Sequence, residues 1–147
     1  MTLLFSYGSN HPAQIAERLG HAVETAGAYA PGYARFFRGF SQRWGGGVAT
    51  LRKKPDGVVF GLVATVTAAD LDRMDRFEGV ASGNYERTKV RVTLAGGGKK
   101  DAVAYVSTSK EFNPPTREYL EAVARTISTH WSSGDGAKVT WRDITVR

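Results

Sequence analysis

Hydrophobic positions recur with two periods along this chain, and the switches between them mark out its elements. Leu3 to Tyr7 is a short apolar run that stops at Gly8-Ser9-Asn10, the pattern of a buried strand running into a tight loop. Pro12 then opens a short helix through Ile15, Ala16 and Leu19, which Gly20 ends. From Val23 to Phe40 the chain is rich in aromatic residues and broken by Gly27, Pro31-Gly32 and Gly39, which predicts one or two bent strands. Gly45-Gly46-Gly47 leads into a strand over Val48 to Leu51, Lys54-Pro55-Asp56-Gly57 reads as a turn, and Val58 to Val66 is a strongly apolar strand.

The period then becomes helical. Thr67 is placed to cap a helix that Gly79 can stop. At about 100° per residue, Leu71, Met74 and Phe77 form an apolar stripe, while Asp72, Arg73 and Arg76 point away. From Tyr85 to Leu94 the chain alternates, with Val90, Val92 and Leu94 on one face. Gly96 to Lys100 turns it back into Ala102 to Ser107, a β-hairpin. Asn113-Pro114-Pro115 is a rigid connector, and Thr116 caps a helix through Tyr119, Leu120, Val123, Ala124 and Ile127. Ser132 to Gly136 is loop-like, and Val139 to Val146 reads as a last strand. Many strands with three helices indicate an α+β fold on a barrel-like or strongly curved sheet. No repeat or linker divides the chain, so residues 1–147 are expected to form a single domain.

Composition removes whole classes of chemistry. With 147 residues and no Cys, disulfides, Cys-based metal sites and a thiol nucleophile are excluded. His11, His21 and His130 show no paired ligand spacing, so no metal site is expected. No apolar run reaches membrane-span length and the start lacks a basic region before an apolar stretch, so the expectation is a cytoplasmic protein without membrane partners. The net charge of +6 invites nucleic acid, but the basic residues are scattered. The densest run, Arg52-Lys53-Lys54, precedes a turn signature and reads as a solvated loop tip, which argues against that partner. A mildly basic surface equally concentrates an acidic small molecule. A homodimer stays open.

Glu78 is the residue that breaks the pattern. It lies four residues after Met74 and seven after Leu71, inside the apolar stripe, whereas Asp75 only borders it. A carboxylate pressed there is desolvated and faces the negative end of the helix dipole, and both effects raise its pKa. Helix geometry alone leaves a second reading, in which the last turn frays and Glu78 reaches water. In the Tyr7-Gly8-Ser9-Asn10 loop, Gly8 allows close approach of a bound group. The amides of Ser9 and Asn10 can form an anion-binding concavity, or the segment is a plain strand-to-helix turn. Ser9 does not fit the G-x-S-x-G nucleophile elbow. Tyr85 and Tyr105 are either ordinary strand aromatics or hydroxyls directed at the same cavity.

Taken in order, Tyr7-Gly8-Ser9-Asn10, Gly46-Gly47-Val48-Ala49-Thr50, Val59-Phe60-Gly61-Leu62-Val63, the helix ending Glu78-Gly79-Val80, Ser82-Gly83-Asn84-Tyr85, the strand around Tyr105 and Asn113-Pro114-Pro115 resemble the γ-glutamylcyclotransferase family. The likeness runs from about Leu3 to Ile127. The sequence departs from the family pattern at His11, where a Leu is usual, and over Gly32 to Arg43. The resemblance implies a small mixed β-barrel flanked by helices and conversion of a γ-glutamyl compound to 5-oxoproline, without metal or cofactor. It further implies Glu78 as acid/base and Tyr7, Gly8, Ser9 and Asn10 lining the site, with Tyr85 and Tyr105 as walls. Close alternatives keep the fold and base but cleave γ-glutamyl amines or a γ-glutamyl protecting group. A non-catalytic binding domain is the more distant one.

Overall fold

The structure, a computed structural model, describes residues 1–131. The expected strand over Val139 to Val146 and the Ser132 to Gly136 loop lie outside the described residues. The elements in chain order are β1 (Thr2–Ser6), α1 (Pro12–Leu19), β2 (Thr25–Ser41), β3 (Gly46–Val66), α2 (Ala68–Glu78), β4 (Tyr85–Leu94), β5 (Lys99–Ser107) and α3 (Arg117–Ser128). The strands close into a barrel in the order β1-β3-β2-β4-β5. Every neighbouring pair is antiparallel except β1 and β5, which run parallel at Leu4 and Val103, so the barrel is mixed.

Period-2 alternation sorts the side chains of each strand between two cores. Phe5, Val59, Val63, Val90, Val92, Ala102 and Ala104 form the interior cluster, which α3 joins through Tyr119, Leu120, Val123 and Ile127. The intervening residues Leu4, Leu62, Ala64, Val66 and Tyr105 form a second cluster with Ile15 and Leu19 of α1 and Leu71 and Met74 of α2. These two helices therefore pack on the outside of the barrel wall. Met74 is fully buried there, a contribution of about 2 kcal/mol.

Two expectations about strands need correction. Residues 54–57 do not turn the chain back: β3 runs through them, and they form an enlarged bulge opposite Pro31-Gly32, where the register jumps from Pro31↔Val58 to Tyr33↔Lys53. The jump also changes phase on β2. Ala28 and Ala30 face the interior before it, and Arg35 and Phe37 are the fully buried residues after it. Arg52 is not part of a solvated tip. Its guanidinium donates to the carbonyls of Leu51, Ser107 and Ser109 and to the Thr50 hydroxyl, although Lys53 and Lys54 are exposed.

The helices follow their end signals. Pro12 starts α1 and Gly20 ends it in the left-handed conformation. At the start of α2 the Thr67 hydroxyl accepts from the Asp70 amide at 3.0 Å, and the Thr67 amide donates to Asp70 Oδ2 at 2.9 Å, a reciprocal capping box. His21, just beyond α1, has its Nε2 2.8 Å from Asp70 Oδ1 and so joins the end of one helix to the start of the next.

Candidate active site

Glu78 closes α2 without fraying. Gly79 caps the helix with φ 69, its N–H returning to the Asp75 carbonyl, and Val80 donates to the same oxygen at 3.0 Å. The 79–84 segment then folds tightly, and Thr108 of the adjacent chain segment binds the carbonyls of Gly83 and Asn84. Only 13 % of the Glu78 side chain remains exposed. Burial pushes its pKa above the ordinary carboxylate value, opposed by a hydrogen bond from Asn10 and the charge of Arg18.

The expected apolar stripe on α2 is narrower than its spacing suggested. Leu71 and Met74 are buried, but Phe77 is 53 % exposed because it lies at the edge of that arc. Its ring instead carries the Arg18 guanidinium 5.1 Å from the centroid.

The Tyr7-Gly8-Ser9-Asn10 loop lies against Glu78. Asn10 Nδ2 donates to Glu78 Oε1 at 2.9 Å, while the Ser6 hydroxyl donates to the Asn10 carbonyl at 2.6 Å and fixes the loop. Among the described residues, no protein acceptor takes the amide hydrogens of Ser9 and Asn10. Gly8 faces the Tyr119 hydroxyl, which itself accepts from the Ala49 amide at 2.7 Å. Tyr7 is buried, its hydroxyl donating to the Tyr105 carbonyl at 2.5 Å. Burial, followed by the nearby Tyr119 and Glu78, raises its pKa and holds it neutral.

These groups surround one cavity of about 510 Å³, lined among others by Tyr7, Gly8, Ser9, Asn10, Glu78, Tyr85 and Tyr105. Tyr85 is partly buried there, its pKa raised by burial and then by Tyr119, Tyr7 and Glu78. Tyr105 lines the cavity too, but of its two readings the hydroxyl directed at the cavity is not the one seen. Its hydroxyl lies 2.6 Å from Asp75 Oδ1 and 3.1 Å from the Leu71 carbonyl, so it ties β5 to α2. Arg87 completes that tie, donating from Nε and Nη2 to the two Asp75 oxygens at 2.8 and 2.7 Å. The helix that ends in Glu78 is thereby fixed to two strands.

The Gamma-glutamyl cyclotransferase, AIG2-like family model matches residues 4–131. The chain belongs to this family. It is similar to γ-glutamylcyclotransferase of Mus musculus, with 31% identity over 126 residues, 82% of this chain and 67% of that protein. The Homo sapiens γ-glutamylcyclotransferase is 30% identical over 129 residues, with the same 82% and 67% shares. A solved structure of a gamma-glutamyl cyclotransferase superposes with a TM-score of 0.86 at 26% identity, covering 94% of this chain and 85% of that one. The mixed barrel with its helices is therefore the family's fold, and the chain is an enzyme of the γ-glutamylcyclotransferase kind.

Family motifs acquire physical reasons in this fold. In Gly46-Gly47, a Cβ on Gly47 would collide with the Asn113 carbonyl, so the glycine lets the Asn113-Pro114 connector cross β3 closely. The Gly47 amide donates to the Pro114 carbonyl at that crossing.

Several residues at the site have no counterpart in the sequence reading. Arg35 is fully buried, and its Nε donates to the Tyr7 carbonyl at 2.9 Å while Nη2 donates to the Phe60 carbonyl at 2.8 Å. It thus fixes the end of β1 just before the loop. Its signal, a charge in phase with Phe37, is readable only once the bulge is known. Arg18 reaches to 3.8 Å from Glu78 Oε1, yet in sequence it is an ordinary base in a helix's last turn. Arg38, Arg43 and Tyr119 also line the cavity, brought there by long-range pairing rather than local pattern.

Proposed function

We propose that the chain converts a γ-glutamyl compound to 5-oxoproline and a free amine, with Glu78 as the acid/base. The observation that supports this best is the largely buried Glu78 carboxylate, raised in pKa and held by Asn10 in a cavity large enough for a small molecule. The substrate brings both reacting groups. Its α-nitrogen attacks the γ-carbonyl carbon, a C–N bond closes the five-membered ring, and the bond from that carbon to the leaving nitrogen breaks. Holding the two groups in line is worth an effective molarity of roughly 10⁵ M or more.

The remaining task is proton transfer. Glu78 takes the proton lost by the attacking nitrogen and returns it to the departing one, so a single group with a raised pKa serves both steps. The open amides of Ser9 and Asn10 suit the substrate's α-carboxylate or the developing oxyanion. Tyr7 and Tyr85 remain protonated and supply neutral walls that leave the charge on Glu78 undiluted.

The test is a panel of γ-glutamyl amino acids and amines incubated with wild type and Glu78→Gln, scored by 5-oxoproline. Wild type is expected to release it, and the variant to be slower in kcat by about 10² to 10⁴. A silent wild type, or a fully active Gln variant, would overturn the proposal.

A further inference from the structure

The charge on the cavity wall exceeds what a neutral leaving amine requires. Among the described residues lining it, Glu78 is the sole carboxylate, against the guanidiniums of Arg18, Arg38, Arg43 and Arg76. Arg18 is engaged by Glu78. Phe40, Arg43, Arg76 and Phe77 are exposed and so define the cavity's open side. Arg43 lies over the Trp44 ring at 5.2 Å and Arg38 over the Phe36 ring at 5.1 Å. Stacking limits the rotamers of each guanidinium and leaves edge N–H groups for a planar acceptor.

The surroundings of Arg38 extend the pattern. A second cavity of about 540 Å³ shares Arg38, Ser107 and Thr108 with the first and adds Arg52 and Lys110 against the single acid Glu86. Neither Arg38 nor Arg43 has a carboxylate partner among the described residues. Both fall in the Gly32 to Arg43 stretch where the sequence departs from the family pattern.

We propose that the amine released by this enzyme is an acidic amino acid, and that Arg38 and Arg43 receive its carboxylates. This rests on the cyclotransferase reading above. A γ-glutamyl amine brings no carboxylate to these guanidiniums, and a cationic leaving group is repelled by them. A leaving aspartate or glutamate supplies two carboxylates, enough for both arginines, and leaves the Ser9–Asn10 amides to the γ-glutamyl end of the substrate.

The test compares γ-glutamylglutamate with its isostere γ-glutamylglutamine, measuring kcat/KM at low and high salt. Wild type, Arg38→Gln and Arg43→Gln are assayed beside Arg125→Gln, an exposed α3 position outside the cavity. The acidic substrate is expected to be favoured by about tenfold or more at low salt, the ratio shrinking as salt screens it. Substituting the arginine that holds the side-chain carboxylate is expected to bring the ratio toward unity. Substituting the one that holds the α-carboxylate is expected to lower kcat/KM for both substrates alike, thermal melts showing each variant to be folded; Arg125→Gln changes neither. Equal rates for the two substrates, or a preference that survives both substitutions, overturn this inference alone. No 5-oxoproline from any substrate overturns the underlying reading, and this one with it.

Discussion

Glu78 and Asn10 show how one hydrogen bond sets a working carboxylate. Burial alone favours the protonated acid, and the Asn10 amide favours the carboxylate that must accept a proton. Removing the donor by Asn10→Ala destabilises the charged form, so the Glu78 pKa rises further. The acid limb of the kcat/KM profile is then expected to move to higher pH, with about a tenfold or greater loss near neutrality. An unmoved acid limb would remove Asn10 from this role. The position of Glu78 could be read from helix spacing, because i, i+3 and i+7 fall on one face whatever the fold. The opposite orientations of Phe77 and the Tyr105 hydroxyl could not be read that way. Each depends on a partner distant in sequence, Arg18 for one and Asp75 for the other.

At the scale of elements, α2 is the lever that presents the acid/base. Its start is fixed by the Thr67–Asp70 capping box, its middle by Asp75 with Tyr105 and Arg87, and its end by Gly79. Thr67→Ala removes the hydroxyl that caps Asp70 and is expected to cost about 1 kcal/mol. A thermal melt would register this as a fall of about 3 °C, and an unchanged Tm would show the cap to be dispensable. Helix ends were legible because caps, Pro and Gly act within a few residues. The course of β3 was not. Lys54-Pro55-Asp56-Gly57 carries a turn signature, yet β2 pairs on both sides of it, and the long-range ladder holds the chain as one strand with a bulge.

For the whole molecule, the site carries a pH-dependent cost. Glu78 has a folded pKa raised above its unfolded value, so between those two values the folded state binds more protons than the unfolded one. Stability therefore falls as pH rises through that window, and the full cost is present above it. Glu78→Gln lacks the titration, so its Tm is expected to exceed that of wild type at neutral pH. The gain should shrink as the pH falls toward the unfolded carboxylate range, where both proteins are uncharged at this position. Melts across pH that show no such convergence would place Glu78 in water instead. The same substitution would then raise stability while lowering activity, the exchange expected of a desolvated working group.

The sequence by itself determined the helices and their ends, the β4–β5 hairpin, the α+β class and the odd carboxylate at the end of α2. Each depends on neighbours a few residues away, and periodicity, capping and turn chemistry act over that range. Tertiary structure decided what surrounds that carboxylate. Barrel closure brings β1 beside β5, and a bulge resets the phase of β2 so that Arg35 fixes the end of β1 beside the Ser9–Asn10 loop. The long β2–β3 ladder carries Arg38, and the turn after it carries Arg43, to the open side of the cavity. Contacts between residues dozens of positions apart are set by strand register and chain closure, and neither is written in any local stretch of the chain.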